Sequence, residues 1–590
     1  MPQTIYRIHP AIGIARVGNA DRTKPDFFFL GPEVPGNPAN YDVASKEYGL
    51  FKLDGRVRPQ AVRFRIFEIE LADDGAERIV GEVSLGQNGV TAITWTVHVA
   101  NRKASFVNFD GQRSAQAAPY FADYKDGNDV RNKSVLGLEA RRERLELDPG
   151  PKSIAGGAAG KEELSSAEGA FALLTSIKTL GELRSDPEGR LIFIGGMGLA
   201  ESVGNTPIKS YANNPGWFDD VSDGPVSATL TVGGKQFEAD GAWVVTAPPD
   251  FVPALPNFRS MYDTLADVFI RRDDGAILPP QMQRLREIWS DPDASKPSFT
   301  TDIYPILHSM SRIWRVYLDK RVIDPAVAPV NYHRMFDDAA LKMLGTEDDF
   351  DLAEVERIFE RIRDPDTTSF PDKALMPHSL GDEPYVSDPR LTYHSVSRLQ
   401  FRLLKAWAEG GSELDWNGPP AFADPTDITP HGLDQAALMN AIGGAFFPGI
   451  EMGWLSTKPE VYRAPLRFAL GKSIGHHAIP GPAGSVRDIR VEAGAFSQQM
   501  AQPWHADFLA CSQEPDPKRE GKFIAWWPAQ RPDHVFPRGE TRYRYWTRTD
   551  ADDGQFGAYT DMVADWSTRG FVVHVDGDLF EVEGPDIPSA

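Results

Sequence analysis

Over the first 250 residues, hydrophobic side chains recur at every second position. In VRFRIFEIEL (62–71), Val62, Phe64 and Ile66 alternate with polar residues. The phase then shifts to Phe67, Ile69 and Leu71, which predicts a strand carrying a β-bulge. Residues 93–99 place Ile93, Trp95, Val97 and Val99 on one face and Thr94, Thr96 and His98 on the other. Two further strands are predicted at 226–232 and 236–245, joined by a Gly233-Gly234 hairpin turn. The Gly/Ala-rich stretch 154–160 reads as a loop.

Past the proline-rich segment TAPPDFVPALP (246–256) the period changes from two to about 3.6. Asp351 and Glu354 form a capping pair ahead of Val355, Ile358, Phe359 and Ile362. Val396, Leu399, Leu403, Leu404 and Trp407 repeat the helical spacing, and further helices are predicted at 279–289, 302–319 and 432–442. FVVHVDGDLFEV (571–582) returns to strand chemistry. The expectation is an α+β fold. Residues 1–250 would form a β-sandwich-like domain with insertions. Residues 251–590 would form a mainly α-helical domain with long loops and a β tail.

The chain carries 62 Lys and Arg against 84 Asp and Glu, a formal charge of −22. That argues against nucleic acid or an anionic membrane as the main partner, since phosphates need clustered cations. No apolar run reaches the roughly 18 residues of a membrane span, and the start shows no signal peptide. A strand-like LIFI followed by Gly195-Gly196-Met197-Gly198 invites a dinucleotide-loop reading. However, Glu201 falls where the third glycine belongs, and a carboxylate there would repel a pyrophosphate. The histidines are scattered, and nothing supports a metal site.

The single cysteine, Cys511, rules out an intrachain disulfide and any four-thiolate zinc site. Its ordinary reading is a small buried hydrophobe. In PWHADFLAC (503–511), a helix opening at Pro503 or Trp504 would set Asp507 and Cys511 on one face, a turn apart. The carboxylate would raise the thiol's pKa, which disfavours a thiolate nucleophile. The pair makes more sense if the sulfur is spent in a covalent bond and the carboxylate acts as a base.

Six segments together resemble one family. They are IYRIHPAIGIARVGNA near the start, NNPGWFDDVSDGPV (213–226), IGGAFFPGIE (442–451), MAQPWHADFLAC (500–511), WWPAQRPD (526–533) and WSTRGFV (566–572). They look like the quinoprotein amino-acid oxidases, the family of L-lysine ε-oxidase and glycine oxidase that carries cysteine tryptophylquinone (CTQ). The resemblance runs in order along essentially the whole chain.

It implies a cofactor made from Cys511 and a tryptophan that has gained two oxygens. That tryptophan is assigned to Trp566 from its W-S-x-x-G-F-V context, with Trp526, Trp527 and Trp546 as packing residues. Asp507 matches the family's carboxylate, implicated in cofactor formation and in catalysis. His505 stands where glutamine is expected.

The implied activity is oxidative deamination of a primary amine of an amino acid, through a Schiff base, with O2 as acceptor and H2O2 and ammonia released. Whether an α- or an ε-amine reacts stays open. A flavoprotein maturation partner and a homo-oligomer are expected, with maturation in the cytoplasm and export without a recognisable signal left open. A non-catalytic relative is the alternative, disfavoured because Cys511, Asp507 and Trp566 are all present. His378, His431, His534 and Tyr211 are candidate pocket residues for which a structural role is the stronger reading. The segment 443–450 is expected to form part of the pocket wall, and a helix terminator is equally compatible with it.

Overall fold

Alternating hydrophobic residues in the first half pair into one extensive sheet. The computed structural model describes residues 3–73, 75–109, 127–272, 275–316, 338–367, 375–377, 394–444, 452–510, 513–515, 523–525, 530–540, 544–546 and 559–585. The principal strands of the sheet are β1 (Gln3–His9), β2 (Ile12–Arg16), β3 (Gln60–Leu71), β4 (Val90–Val97), β5 (Lys152–Ala155), β6 (Glu162–Ser165), β7 (Thr179–Ser185), β8 (Leu191–Ile194), β9 (Ser222–Val232) and β10 (Ala242–Ala247). They lie in the order β5-β4-β9-β10-β2-β3-β8-β7-β6, with β1 also paired to β3. β2 and β10 run parallel, Ile12 opposite Trp243 and Arg16 opposite Ala247.

The strand signals hold, with two refinements. β3 pairs continuously with β1, from Gln3↔Leu71 to His9↔Arg65. Its phase shift therefore does not mark a bulge within β3. Ile66 and Phe67 are both buried because both faces of the strand are covered there, and the register slips instead on the neighbouring strand Glu77–Glu82, where Glu68 faces Gly81 and Ile69 faces Ile79. The Gly233-Gly234 turn is present, with φ +57 and +78, the region where glycine avoids the Cβ penalty. The strand after it splits: Lys235–Glu238 pairs with the far end of β9, and β10 pairs with its near end.

β10 reads AWVVTA and is buried throughout. Trp243 and Val245 face one apolar cluster, which includes Ile12, Ile14 and the helices. Ala242 and Val244 face another, with Ile8, Phe64, Trp95 and Leu230. A strand covered on both faces needs this continuous apolar run rather than alternation.

The helices are α1 (Leu138–Leu145), α2 (Met261–Ile270), α3 (Pro280–Ser290), α4 (Tyr304–Arg312), α5 (Asp338–Gly345), α6 (Leu352–Phe359), α7 (Arg398–Ala408), α8 (Pro430–Met439), α9 (Trp504–Ala510) and α10 (Tyr559–Asp565). Asp351 caps α6 by accepting the N–H groups of Ala353 and Glu354, and Ser397 with Gln400 closes a capping box on α7. Leu399, Leu403, Leu404 and Trp407 line the buried face of α7, each worth roughly 1.5–3 kcal/mol on full burial. α2 was not predicted. It starts only five residues after Pro256, but Ser260 and Asp263 satisfy its first amides in a capping box. No described helix is long and apolar enough to cross a membrane.

The β tail is a hairpin, β11 (Phe571–Val575) with β12 (Asp578–Val582). It packs back on the first half: Phe571 stacks on Phe51 at 4.6 Å, the Val572 amide donates to the Phe251 carbonyl, and the Glu583 carboxylate accepts the amides of Phe51 and Lys52 at 2.9 and 2.7 Å.

Candidate active site

The segment WFDDVSD (217–223) sends three buried carboxylates to three separate loops. Asp219 accepts the Trp504 amide at 2.9 Å, which satisfies one orphan donor at the start of α9. The Lys103 ammonium donates to the Asp219 carboxylate at 2.7 Å and to the Ala501 carbonyl at 2.7 Å. Both side chains of this pair are fully buried. Asn101 supplies a further donor to Asp219 at 2.7 Å. Asp223 holds the loop just before α9, accepting the Ser497 amide at 2.8 Å, the Ser497 hydroxyl at 2.6 Å and the Trp243 indole N–H at 2.9 Å. Asn214 adds a bond from its side-chain amide to the Gln502 carbonyl, 2.8 Å.

Asp220 clamps the glycine-rich loop after β8, accepting the amides of Met197 at 2.6 Å and Leu199 at 3.1 Å. Burial pushes its carboxyl up to about 7, with Asp219 adding to the rise and the two amides and Arg22 opposing it. A carboxyl with a raised folded-state pKa stabilises the fold fully below its unfolded value of 3.8, and that contribution is lost as pH rises through about 7. Melting temperature is therefore expected to fall between about pH 4 and about pH 7 through this group. Asp220→Asn should flatten that dependence, and an unchanged slope in the variant would exclude the assignment.

Asp507 lies on α9 with 1% of its surface exposed. Burial pulls the Lys103 ammonium below its usual range, and the charges of Asp219 and Asp507 oppose that pull. Arg531 is fully buried and donates to the Phe508 carbonyl at 2.7 Å. Burial lowers it to about 9 against the opposing charges of Asp533 and Asp507. Two buried cations, Lys103 and Arg531, thus interact electrostatically with the Asp507 carboxylate.

Trp566, 3% exposed, follows α10 directly. Its ring meets Trp504 edge-on at 5.6 Å and His505 at 6.4 Å. On its benzo side lies Gly198, φ +73, where an added Cβ would overlap Cζ2 and come within 2.9 Å of Cε2 and 3.0 Å of Cη2. The indole therefore rests on the first turn of α9, one turn before Asp507.

Of the other predicted residues, Tyr211 packs edge-on to Phe109 at 6.1 Å, in a small cluster with Ala212 and Ala501 beside the entry to α9. His534 is buried and lies 3.1 Å from Asp533, which links it to Arg531. His431 is placed elsewhere. Its ring is 6.0 Å from His9 and its Nδ1 is 4.0 Å from Asp434, on the wall of a cavity of about 370 Å³ shared with Tyr262 and Gln281. Trp546 donates its indole N–H to the Gly570 carbonyl at 3.2 Å. Cys511, His378, Trp526, Trp527 and most of 443–450 lie outside the described residues.

Sequence reasoning missed Lys103, Asp219, Asp220, Arg531 and Gly198 as parts of the site. The Asp219-Asp220-x-x-Asp223 run between Trp217, Phe218 and Val221 did carry a signal, because carboxylates set in an apolar stretch are buried with partners. Lys103 carried none.

Residues 9–246 match the family model described as L-Lysine epsilon oxidase N-terminal, and residues 377–528 match the L-lysine epsilon oxidase C-terminal domain. The chain is 30% identical over 564 residues to an L-lysine 6-oxidase of Marinomonas mediterranea, covering 86% of this chain and 71% of that protein. Its fold is similar to the crystal structure of the Schiff base intermediate of the L-Lys epsilon-oxidase of that organism with L-Lys. The TM-score is 0.72, with 23% identity over 98% of this chain and 95% of the other. A second structure of the same oxidase gives a TM-score of 0.69 at 22% identity, covering 98% and 94% of the two chains.

Proposed function

The chain belongs to the L-lysine ε-oxidase family and is an amino-acid oxidase, and from that premise we propose that Cys511 and Trp566 are joined as a cysteine tryptophylquinone at which a primary amine of an amino acid, L-lysine first among candidates, is oxidised. One observation carries this reading: a buried Trp566 rests on α9, the helix that holds a buried Asp507 and runs to Ala510, immediately before the only cysteine in the sequence.

The residues present fit the group. Gly198 leaves no side chain along the benzo edge of Trp566. Joining the two residues replaces S–H and one ring C–H by a C–S bond and two further ring C–H groups by carbonyls, a gain of two oxygens and a loss of four hydrogens. We assign that oxidation, with O2, to a flavoprotein maturation partner. The quinone supplies an electrophilic carbonyl and a two-electron sink, which ordinary side chains lack.

The protein's own groups supply the rest. Asp507, which interacts electrostatically with Lys103 and Arg531, takes the proton from the amine-bearing carbon, and it must lie within about 3 Å of that proton to do so. Burial of Trp504, His505, Asp507 and Trp566 excludes bulk water. Arg531 and Asp219 fix the helix that carries the base, so its carboxylate needs no reorganisation during turnover. Oxygen accepts the electrons, and hydrogen peroxide and ammonia leave. In this reading residues 1–250 form the β-rich scaffold domain and 251–590 carry the modified residues.

The test combines oxygen uptake across the amino acids with peptide mass, on protein co-produced with its flavoprotein partner. Uptake with L-lysine, together with a cross-linked 511–566 peptide heavier by two oxygens and lighter by four hydrogens, is expected. An active preparation with a free thiol at Cys511 and an intact indole at Trp566 would overturn the proposal.

A further inference from the structure

Each glycine of the Gly195-Gly196-Met197-Gly198 loop sits where a Cβ has no room. On Gly195 it would overlap the Thr246 side chain, and on Gly196 it would come within 2.5 Å of the Asp220 carbonyl oxygen. On Gly198 it would overlap the ring of Trp566. The φ of +73 at Gly198 does not by itself demand glycine, since Asn and Asp also enter this region at modest cost. The contact with the ring does demand it.

The loop is held from two sides. Asp220 accepts the amides that flank Gly198. On the other side, His505 Nε2–H donates to the Gly198 carbonyl at 3.1 Å. His505 is fully buried, stacks on Trp504 at 3.7 Å, and has no hydrogen-bond partner at Nδ1 among the described residues. A carbonyl acceptor at Nε2 fixes the tautomer with its proton there. Burial lowers the imidazole to about 3, so it stays neutral and keeps that donor role over the working range.

We propose that His505 and Gly198 form a positioning pair for Trp566: the imidazole anchors the Gly198 carbonyl, and the bare Cα of Gly198 sets where the indole comes to rest. This rests on Trp566 being the modified residue. His505 acts through Gly198 and is a positioning residue rather than a catalytic one. Glutamine at the same place reaches as far with its own N–H donor, so the position tolerates either residue.

The test uses wild type, Gly198→Ala, His505→Gln and His505→Leu, each co-produced with the flavoprotein partner. Each is followed by circular dichroism, Trp566-peptide mass, visible absorption and steady-state kinetics. Gly198→Ala should fold and show a modified fraction lowered about tenfold or more. His505→Gln should match wild type. His505→Leu should fold but show a displaced absorption maximum and a lowered kcat at little-changed KM. Full modification of Gly198→Ala with the wild-type spectrum overturns the pair. If Gly198→Ala does not fold, the His505 variants decide, and a His505→Leu protein identical to wild type overturns it. An unmodified Trp566 in active wild type would sink the assignment of the modified tryptophan instead, a distinct result.

Discussion

Trp566→Phe is expected to yield a folded protein with no oxidase activity, no visible absorption and no mass gain at either Cys511 or position 566. Phenylalanine keeps much of the apolar contact with Trp504, so the stability cost should stay well below the roughly 3–5 kcal/mol of truncation to alanine. What it lacks is the fused ring that can carry both a thioether and two carbonyls. Trp546→Phe is the matched control. Trp546 is equally buried, packs on Phe251 at 4.7 Å under the Arg531 guanidinium, and donates to Gly570. Its loss should lower melting temperature and leave the modification intact. Peptide mass and oxygen uptake on both variants separate the roles, and the reverse pattern would move the cofactor to position 546.

Asp507→Asn is expected to lower kcat by about a hundred- to ten-thousand-fold, the range associated with losing a positioned general base. Asparagine has nearly the same shape and cannot accept the proton. The fold should survive, because Lys103 keeps its ion pair with Asp219 and Arg531 keeps Asp533 nearby. Peptide mass separates the two roles implied for this carboxylate. A modified 511–566 peptide with collapsed turnover isolates proton removal, and an unmodified peptide isolates cofactor formation. A fully modified Asp507→Asn enzyme with kcat within about threefold of wild type would rule Asp507 out as the base.

The fold was legible where local pattern and tertiary environment agree. Leu399, Leu403, Leu404 and Trp407 share a helical face and are all buried, and the glycine pair at 233–234 turns the chain as read. The bulge in β3 was misplaced because two-sided burial mimics a change of phase when only one strand is in view. α2 was missed because its capping box lies directly behind a proline-rich stretch. The Asp507–Cys511 spacing and the Trp566 context were readable in one dimension, since a helix turn and a motif are local. The glycine loop was rejected as a nucleotide cradle with good reason, yet its use stayed hidden: the ring it supports lies in the last tenth of the chain. Lys103 was invisible for the same reason, since the carboxylates that justify burying an ammonium come from Asp219 and Asp507, far away in sequence.

The clasp between the closing hairpin and Phe51, Lys52 and Phe251 sets a schedule for biosynthesis. Trp566 precedes that hairpin by only a few residues, while the surfaces that seat the hairpin are translated hundreds of codons earlier. Residues as far as Glu583 must therefore emerge before the hairpin can dock on those surfaces. Under the maturation proposed above, a partner that tailors Trp566 would act on a chain whose hairpin has already docked rather than on a nascent one.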